Sequence, residues 1–111
     1  MMMSATMDEQ EFQRIAEAAL EALKRHLFAQ EDQGAEFEVE VQGGVLNILF
    51  EEPVGKFVIT ANAPVRQIWI SALSTSFKLD WDQTAEVFVL PRTEEPLIKL
   101  VDRLISEQLA S

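Results

Sequence analysis

Three glutamates spaced two residues apart are the first candidates for chemistry in this sequence: Glu36, Glu38 and Glu40. Alternate side chains of a β-strand share one face, so the three carboxylates would lie about 6.5–7 Å apart. That spacing is too wide for all three carboxylates to chelate one ion. The three negative charges nevertheless repel one another and attract a cation. Carboxylates suit hard cations and do not select iron over calcium, magnesium or manganese. Both a weak cation site and a solvated acidic strand edge that prevents aggregation fit this pattern.

A tryptophan in an alternating segment is the second candidate. Residues 66–72 have the period of a half-buried strand, with the isoleucines on one face and Trp69 on the other. An indole on the solvent side, between Gln67 and Ser71, is typical of a contact surface. The alternative is that a terminal segment or a loop covers Trp69, since tryptophan is usually largely buried.

The residues needed for familiar catalytic sites are missing from the sequence. It contains no cysteine and one histidine, His26, and it has no glycine-rich phosphate loop or nucleophile elbow. Without a second histidine or a cysteine, His26 is better explained as a partly exposed helix residue than as a transition-metal ligand. We therefore expect a protein that is not an enzyme.

Composition limits the size and the partners of the molecule. The chain has 111 residues, of which 48% are apolar, enough for one domain over residues 8–111. Residues 1–7 lack the features of a signal peptide or a presequence, so we expect a short disordered tail and a cytoplasmic protein. The net charge of −10 argues against nucleic acid and anionic membrane as partners, and no apolar run is long enough to span a bilayer.

Two segments have the apolar periodicity of helices that pack on a sheet. The first is expected to begin at a capping box of Thr6 and Glu9 and to end near Phe28, before a polar connection over residues 30–34. The second is expected to begin at Thr93 as N-cap, with Pro96 in its first turn. The apolar stripes are Phe12, Ile15, Ala16, Ala19, Leu20, Leu23 and Leu27 in the first helix, and Leu97, Leu100, Val101, Leu104, Ile105 and Leu109 in the second.

Between the helices, six segments are typical of strands joined by short turns: residues 35–42, 45–50, 56–62, 66–72, 77–82 and 86–90. Gly43 and Gly44 supply the positive φ values of a tight hairpin, and Pro64 ends the third strand. Residues 51–55 are expected to form a turn and residues 73–76 a loop. The expected core-facing residues of the first three strands are Phe37, Val39, Val41, Leu46, Ile48, Phe50, Phe57, Ile59 and Ala61. The facing of the last strand is left open, because residues 87–90 are all apolar.

These elements predict an α+β fold, a two-layer α/β sandwich with an antiparallel sheet of about six strands. Each helix has one apolar stripe and the strands have one apolar face. The N- and C-terminal helices are therefore expected on one face of the sheet, with the other face open.

Motifs in this order of elements resemble those of the frataxin family. Gly43 to Ile48 is similar to that family's hairpin, and Asp80-Trp81 falls where the family has an Asp-Trp pair. Pro64 followed by Gln67-Ile-Trp-Ile-Ser resembles its most distinctive motif. The resemblance covers residues 8–109 and identifies a bacterial-type frataxin homologue with a frataxin-like fold.

The resemblance implies an iron-binding regulator of iron–sulfur cluster assembly that docks on a cysteine desulfurase and its scaffold protein. It implies five partner-binding residues: Gln67, Trp69, Ser71, Thr60 and Asn47. It also implies a surface that binds iron (Fe²⁺ or Fe³⁺) weakly and meets a basic partner. This surface, here termed the acidic ridge, comprises Glu17, Glu21, Glu31, Asp32, Glu36, Glu38 and Glu40.

Four positions differ from the family pattern. Lys24 and Arg25 stand where several relatives carry acids, and Thr60 and Val65 replace residues expected near the motif. The resemblance further implies a monomer in the absence of metal, and a weak ferroxidase activity on surface carboxylates is compatible with it.

A homodimeric, acidic secretion-chaperone-like module that holds an unfolded client is the alternative function. Such a protein needs a self-complementary apolar interface, whereas this sequence places its conspicuous aromatic between polar neighbours. Light scattering distinguishes the two functions through the oligomeric state.

Overall fold

The computed structural model describes residues 7–111, which form two helices and one seven-stranded sheet. The elements are α1 (Glu9–Asp32), β1 (Glu38–Gln42), β2 (Val45–Glu51), β3 (Val54–Asn62), β4 (Gln67–Ala72), β5 (Thr75–Asp82), β6 (Val87–Leu90), β7 (Glu95–Pro96) and α2 (Leu97–Ala110). The strands pair antiparallel in chain order, so the sheet is a meander. In this described part, no helix combines the length and the apolar character needed to cross a membrane.

Helix α1 begins and ends later than the sequence predicted. Its N-cap is Asp8, whose carboxylate accepts a hydrogen bond from the Glu11 backbone N–H at 2.7 Å; Thr6, expected in the cap, lies outside the described residues. Phe28 is exposed, and the helix does not end there but continues to Asp32. The chain turns only at Gly34, whose φ of +93° favours glycine and whose N–H donates to the Glu31 carbonyl.

The core lies between the helices and one face of the sheet, as predicted. The helix residues Phe12, Ala16, Leu23 and Leu27 are buried, as are the inward-facing side chains of β2, β3 and β4. Two core predictions are wrong: Val41 is 47% exposed and Ala61 is exposed. Both lie within two residues of a strand end, where the helical layer does not cover them. In β6, whose facing was left open, Phe88 points inward and packs edge-on against Phe12 at 5.9 Å.

The turns between strands are tighter than expected. Gly43 and Gly44 have φ values of +55° and +82° and form the predicted hairpin. Leu73 and Ser74 alone connect β4 to β5, both with positive φ, so the predicted loop over residues 73–76 is a two-residue turn. Strand β3 ends at Asn62, before Pro64 as predicted, and residues 63–65 form a single 3₁₀ turn.

Helix α2 begins three residues later than predicted, with Pro96 instead of Thr93 as its N-cap. Pro96 is extended, with ψ of 157°, and pairs with Val89, so Glu95 and Pro96 form the unpredicted strand β7. The Thr93 hydroxyl does not cap the helix but exchanges hydrogen bonds with Glu95. The predicted apolar stripe of α2 is buried, except that Leu109 is half-buried.

Two polar contacts fix α2 against the rest of the domain. Asp102 lies 2.9 Å from Nε2 of His26, so the histidine, half-exposed as predicted, connects the two helices. At the other end, the Gln108 side chain is buried and its Nε2 donates to the Pro53 carbonyl at 2.9 Å. This glutamine covers Gly55, the second residue of β3.

Candidate functional site

The open face of the sheet, the surface opposite the helices, carries the conspicuous tryptophan. The register of β3, β4 and β5 places Thr60, Trp69 and Lys78 side by side in one row. The next row contains Asn62, Gln67 and Asp80. Alternation within β4 buries Ile68, Ile70 and Ala72 on the helical side, as predicted, and leaves Trp69 on the open face.

Polar neighbours within the sheet hold the indole. The Trp69 Nε1–H donates to the Gln67 Oε1 at 2.8 Å, and the Gln67 Nε2 donates to the Asp80 Oδ1 at 2.9 Å. The Lys78 Nζ lies 4.8 Å from the ring centroid, within the range of a cation–π interaction. Trp69 is therefore half-buried against its own sheet neighbours. Lys78 and Asp80 were not predicted as site residues, although the alternation of β5 already placed them on the open face.

All five residues predicted to bind a partner lie on the open face. Ser71 is exposed and Thr60 is half-exposed beside Trp69. Asn47 lies two strands away in the row of Val58 and Ser71, and only 8% of its surface is exposed. The accessible part of this group is therefore centred on Gln67 and Trp69.

On α1, the acidic ridge is partly neutralised by its own neighbours. The Glu21 carboxylate lies 2.9 Å from the Lys24 Nζ and 3.4 Å from the Arg25 Nε. The hydrogen bond from Lys24, helped by Arg25, lowers the pKa of Glu21 below its ordinary value. Glu21 thus stays ionised, but two cations offset its charge.

The other ridge carboxylates do not converge on one point. Glu31 accepts a hydrogen bond from the Val39 N–H at 3.3 Å and so ties the end of α1 to β1. Glu36 lies in a bend before β1 rather than in the strand, which corrects the prediction of three glutamates on one strand. Glu36 and Glu38 line an open groove of about 410 Å³ together with Glu51 and Glu52, two acids that the sequence placed only in a turn.

The arrangement does not form a chelating metal centre. Among residues 7–111, no group of three or more His, Asp or Glu side chains is placed to hold one metal ion. His26 is engaged with Asp102, and Glu17, Asp32 and Glu40 are exposed. The chemistry that remains is a diffuse negative field, which attracts cations and basic surfaces without a fixed coordination geometry.

Fold and surface together define a two-layer α+β protein that presents an aromatic, polar sheet face and an acidic ridge. Comparison with known proteins identifies the family to which a protein of this class belongs. A family model described as a frataxin-like domain matches residues 5–111. The chain is 33% identical over 78 residues to the iron–sulfur cluster assembly protein CyaY of Pseudomonas paraeruginosa, covering 70% of this chain and 71% of that protein. It is 27% identical over 103 residues to CyaY of Pseudomonas putida strain GB-1, covering 93% and 90% of the two chains.

A solved structure has the same fold. The frataxin from Psychromonas ingrahamii superposes with a TM-score of 0.77, at 20% sequence identity, over 92% of this chain and 91% of that one. The chain described here belongs to the frataxin family, in its bacterial form. The resemblance noted in the sequence is thereby confirmed.

Proposed function

We propose that this protein regulates iron–sulfur cluster assembly by docking on a cysteine desulfurase and its scaffold protein. The observation that carries the proposal is the ordered indole of Trp69, which a glutamine and a lysine hold on the open face of the sheet. Aromatic residues held in place are frequent centres of binding energy, because little side-chain entropy is lost when they dock. The names of the curated relatives, iron–sulfur cluster assembly proteins, support the choice of pathway.

The acidic ridge would supply the electrostatic part of docking. A net charge of −10, with exposed acids on α1 and β1, favours a basic partner surface and accelerates encounter with it. We propose that ferrous iron is attracted to the same field as cargo and is bound weakly. The scattered carboxylates support this weak mode better than a tight site.

We further propose that the protein acts by binding rather than by catalysis. The sequence has no cysteine, and its single histidine pairs with Asp102. The sulfur chemistry of cluster assembly would then belong entirely to the partner, and this chain would alter its rate by docking.

The test is affinity capture with the tagged full-length chain, followed by binding measurements on the captured proteins. Recovery of a desulfurase and a scaffold protein is expected, whereas recovery of a secreted effector would point to a chaperone. Trp69→Ala should weaken desulfurase binding by about 2 kcal/mol or more. Its melting temperature should change little, because the residue lies outside the core.

Phe28→Ala is the control, since it removes an exposed aromatic side chain from α1, in the helical layer. It should leave desulfurase binding at the wild-type level. Equal losses in the two variants, or a large fall in melting temperature of Trp69→Ala with binding retained, would contradict the proposed role of Trp69.

A further inference from the structure

We propose that Asp80 is a positioning residue that holds Trp69 in its docking orientation through Gln67. The inference rests on the proposed docking function. Asp80 is exposed on β5, directly opposite Gln67 in the register, and its Oδ1 accepts the Gln67 amide N–H at 2.9 Å. Gln67 in turn accepts the Trp69 indole N–H at 2.8 Å.

The chemistry of the three groups allows only one direction for this chain of hydrogen bonds. The indole Nε1–H can only donate, so the Gln67 amide must turn its oxygen toward Trp69. Its NH₂ group then faces Asp80, whose ionised carboxylate can only accept. A carboxylate at this position therefore selects the amide orientation that the tryptophan requires.

Without Asp80, the Gln67 amide would lose this selection. Its oxygen and NH₂ group are nearly equal in shape, and water can satisfy either one on an exposed face. In the flipped orientation the NH₂ group would oppose the indole N–H, donor against donor. Of its two polar contacts, Trp69 would then keep the one with Lys78, whose Nζ lies 4.8 Å from the ring centroid, and its ring would sample more orientations.

The first readout is the indole itself, in the isolated protein. NMR spectra of the ¹⁵N-labelled chain should show two indole N–H signals, and Trp81→Phe assigns the one from Trp69. Asp80→Ala should shift the Trp69 signal and speed its exchange with solvent. Asp80→Asn, whose amide oxygen can still accept from Gln67, should restore the wild-type signal.

The second readout is binding to the purified cysteine desulfurase. Asp80→Ala should weaken binding about fivefold, and Asp80→Asn should restore most of it. Glu9→Ala removes one carboxylate from the first turn of α1 and should leave both readouts unchanged, which controls for net charge.

Three results would overturn the inference. They are an unchanged Trp69 signal in Asp80→Ala, an altered signal with unchanged desulfurase binding, and a binding loss in Asp80→Asn equal to that in Asp80→Ala although its Trp69 signal is that of wild type. The last would mean that the charge of Asp80 acts on the partner directly. Failure of the proposed docking function would give a different result. Trp69→Ala would then bind the desulfurase as wild type does, while Asp80→Ala would still shift the Trp69 indole signal.

Discussion

Two tryptophans on neighbouring strands have opposite surroundings because of strand parity alone. Trp69 of β4 lies on the open face, whereas Trp81 of β5 faces the helices and packs against Phe88 at 5.1 Å between ring centroids. Alternation in the sequence was sufficient to predict the side on which Trp69 lies. It could not predict the contacts of Asp80 with Gln67 and of Lys78 with the indole, because these depend on which residues of β5 lie opposite β4.

The contact between Gln108 and Gly55 was equally inaccessible to sequence reasoning. The helix period places position 108 within the apolar stripe, four residues after Leu104 and three after Ile105, but gives no reason for a buried amide there. The reason lies in the β2–β3 turn, where the Pro53 carbonyl accepts a hydrogen bond from Gln108. A contact between residues 55 positions apart in the chain leaves no periodic signal.

Gly55→Ala should destabilise the fold by about 1–3 kcal/mol, as overpacking typically does. A Cβ at this position would come within 2.6 Å of the Gln108 Nε2, so the glutamine would have to move. Gln108→Ala alone should cost about 1 kcal/mol through the lost hydrogen bond. Urea denaturation checks both values.

The double variant tests the stated cause. Gly55→Ala with Gln108→Ala should be less destabilised than the sum of the single variants, because the clash disappears with the glutamine. If the destabilisation of the double variant equals the sum of the two single variants, backbone strain, and not the Gln108 side chain, would explain why this position needs glycine.

At the scale of elements, the start of α2 is anchored by an ion pair across the β7–α2 corner. Arg103 lies 2.7 Å from one Glu95 oxygen and 2.5 Å from a Glu107 oxygen. The Arg103 hydrogen bond, together with that from Thr93, lowers the pKa of Glu95 below its ordinary value of 4.5. The stabilisation from this group is therefore present above pH 4.5 and is lost as the pH falls through the depressed value.

Arg103→Gln should reduce the loss of stability on acidification below pH 4.5. The variant should be slightly less stable than wild type at neutral pH and approach it in acid, as urea midpoints across this range would show. Lys99→Gln, a loss of an exposed base in the same helix, is the control and should follow the wild-type curve. Parallel curves for wild type and Arg103→Gln would exclude the corner as a source of the acid sensitivity.

Elements were predictable in kind and order, and less so at their ends. Periodicity identified both helices and six strands, because burial of one face imposes it on every residue. The ends depended on local competition. Thr93 is a good N-cap residue, yet its hydroxyl bonds to Glu95 and the chain pairs with β6 before it can become helical.

At the scale of the whole molecule, the acidic ridge was predicted as a set of residues but not as an arrangement. The linear pattern did not show how far Glu17 of α1 lies from Glu40 of β1, nor that Glu51 and Glu52 would share a groove with Glu36 and Glu38. Distances between elements are set by packing, which a linear pattern does not encode.

Ferrous iron should bind weakly, at more than one place, and with an affinity that falls as salt is added. The reason is that a diffuse field is screened over about 8–10 Å, whereas a chelating site is not. Lys24→Glu with Arg25→Glu should strengthen iron binding, because Glu21 would lose the two cations that offset its charge. Anaerobic titration at low and moderate salt measures both effects.

A matched pair of changes separates local field from total charge. Arg92→Glu with Lys99→Glu alters the net charge equally at two exposed positions outside the ridge. This control should bind iron nearly as wild type does. A single tight, salt-insensitive site would contradict the diffuse field, and equal gains in both double variants would show that only net charge matters.

The meander order of the sheet bears on how the chain folds. Every strand pairs with its neighbour in sequence, so each hairpin closes a loop of only a few residues, at a low entropic cost. The two contacts of highest sequence separation among those described above each span 76 positions: His26 with Asp102 between the helices, and Phe12 of α1 with Phe88 of β6. Contacts are therefore local in sequence within the sheet and distant in sequence for the helical layer, and we expect closure of that layer over the sheet to limit the folding rate.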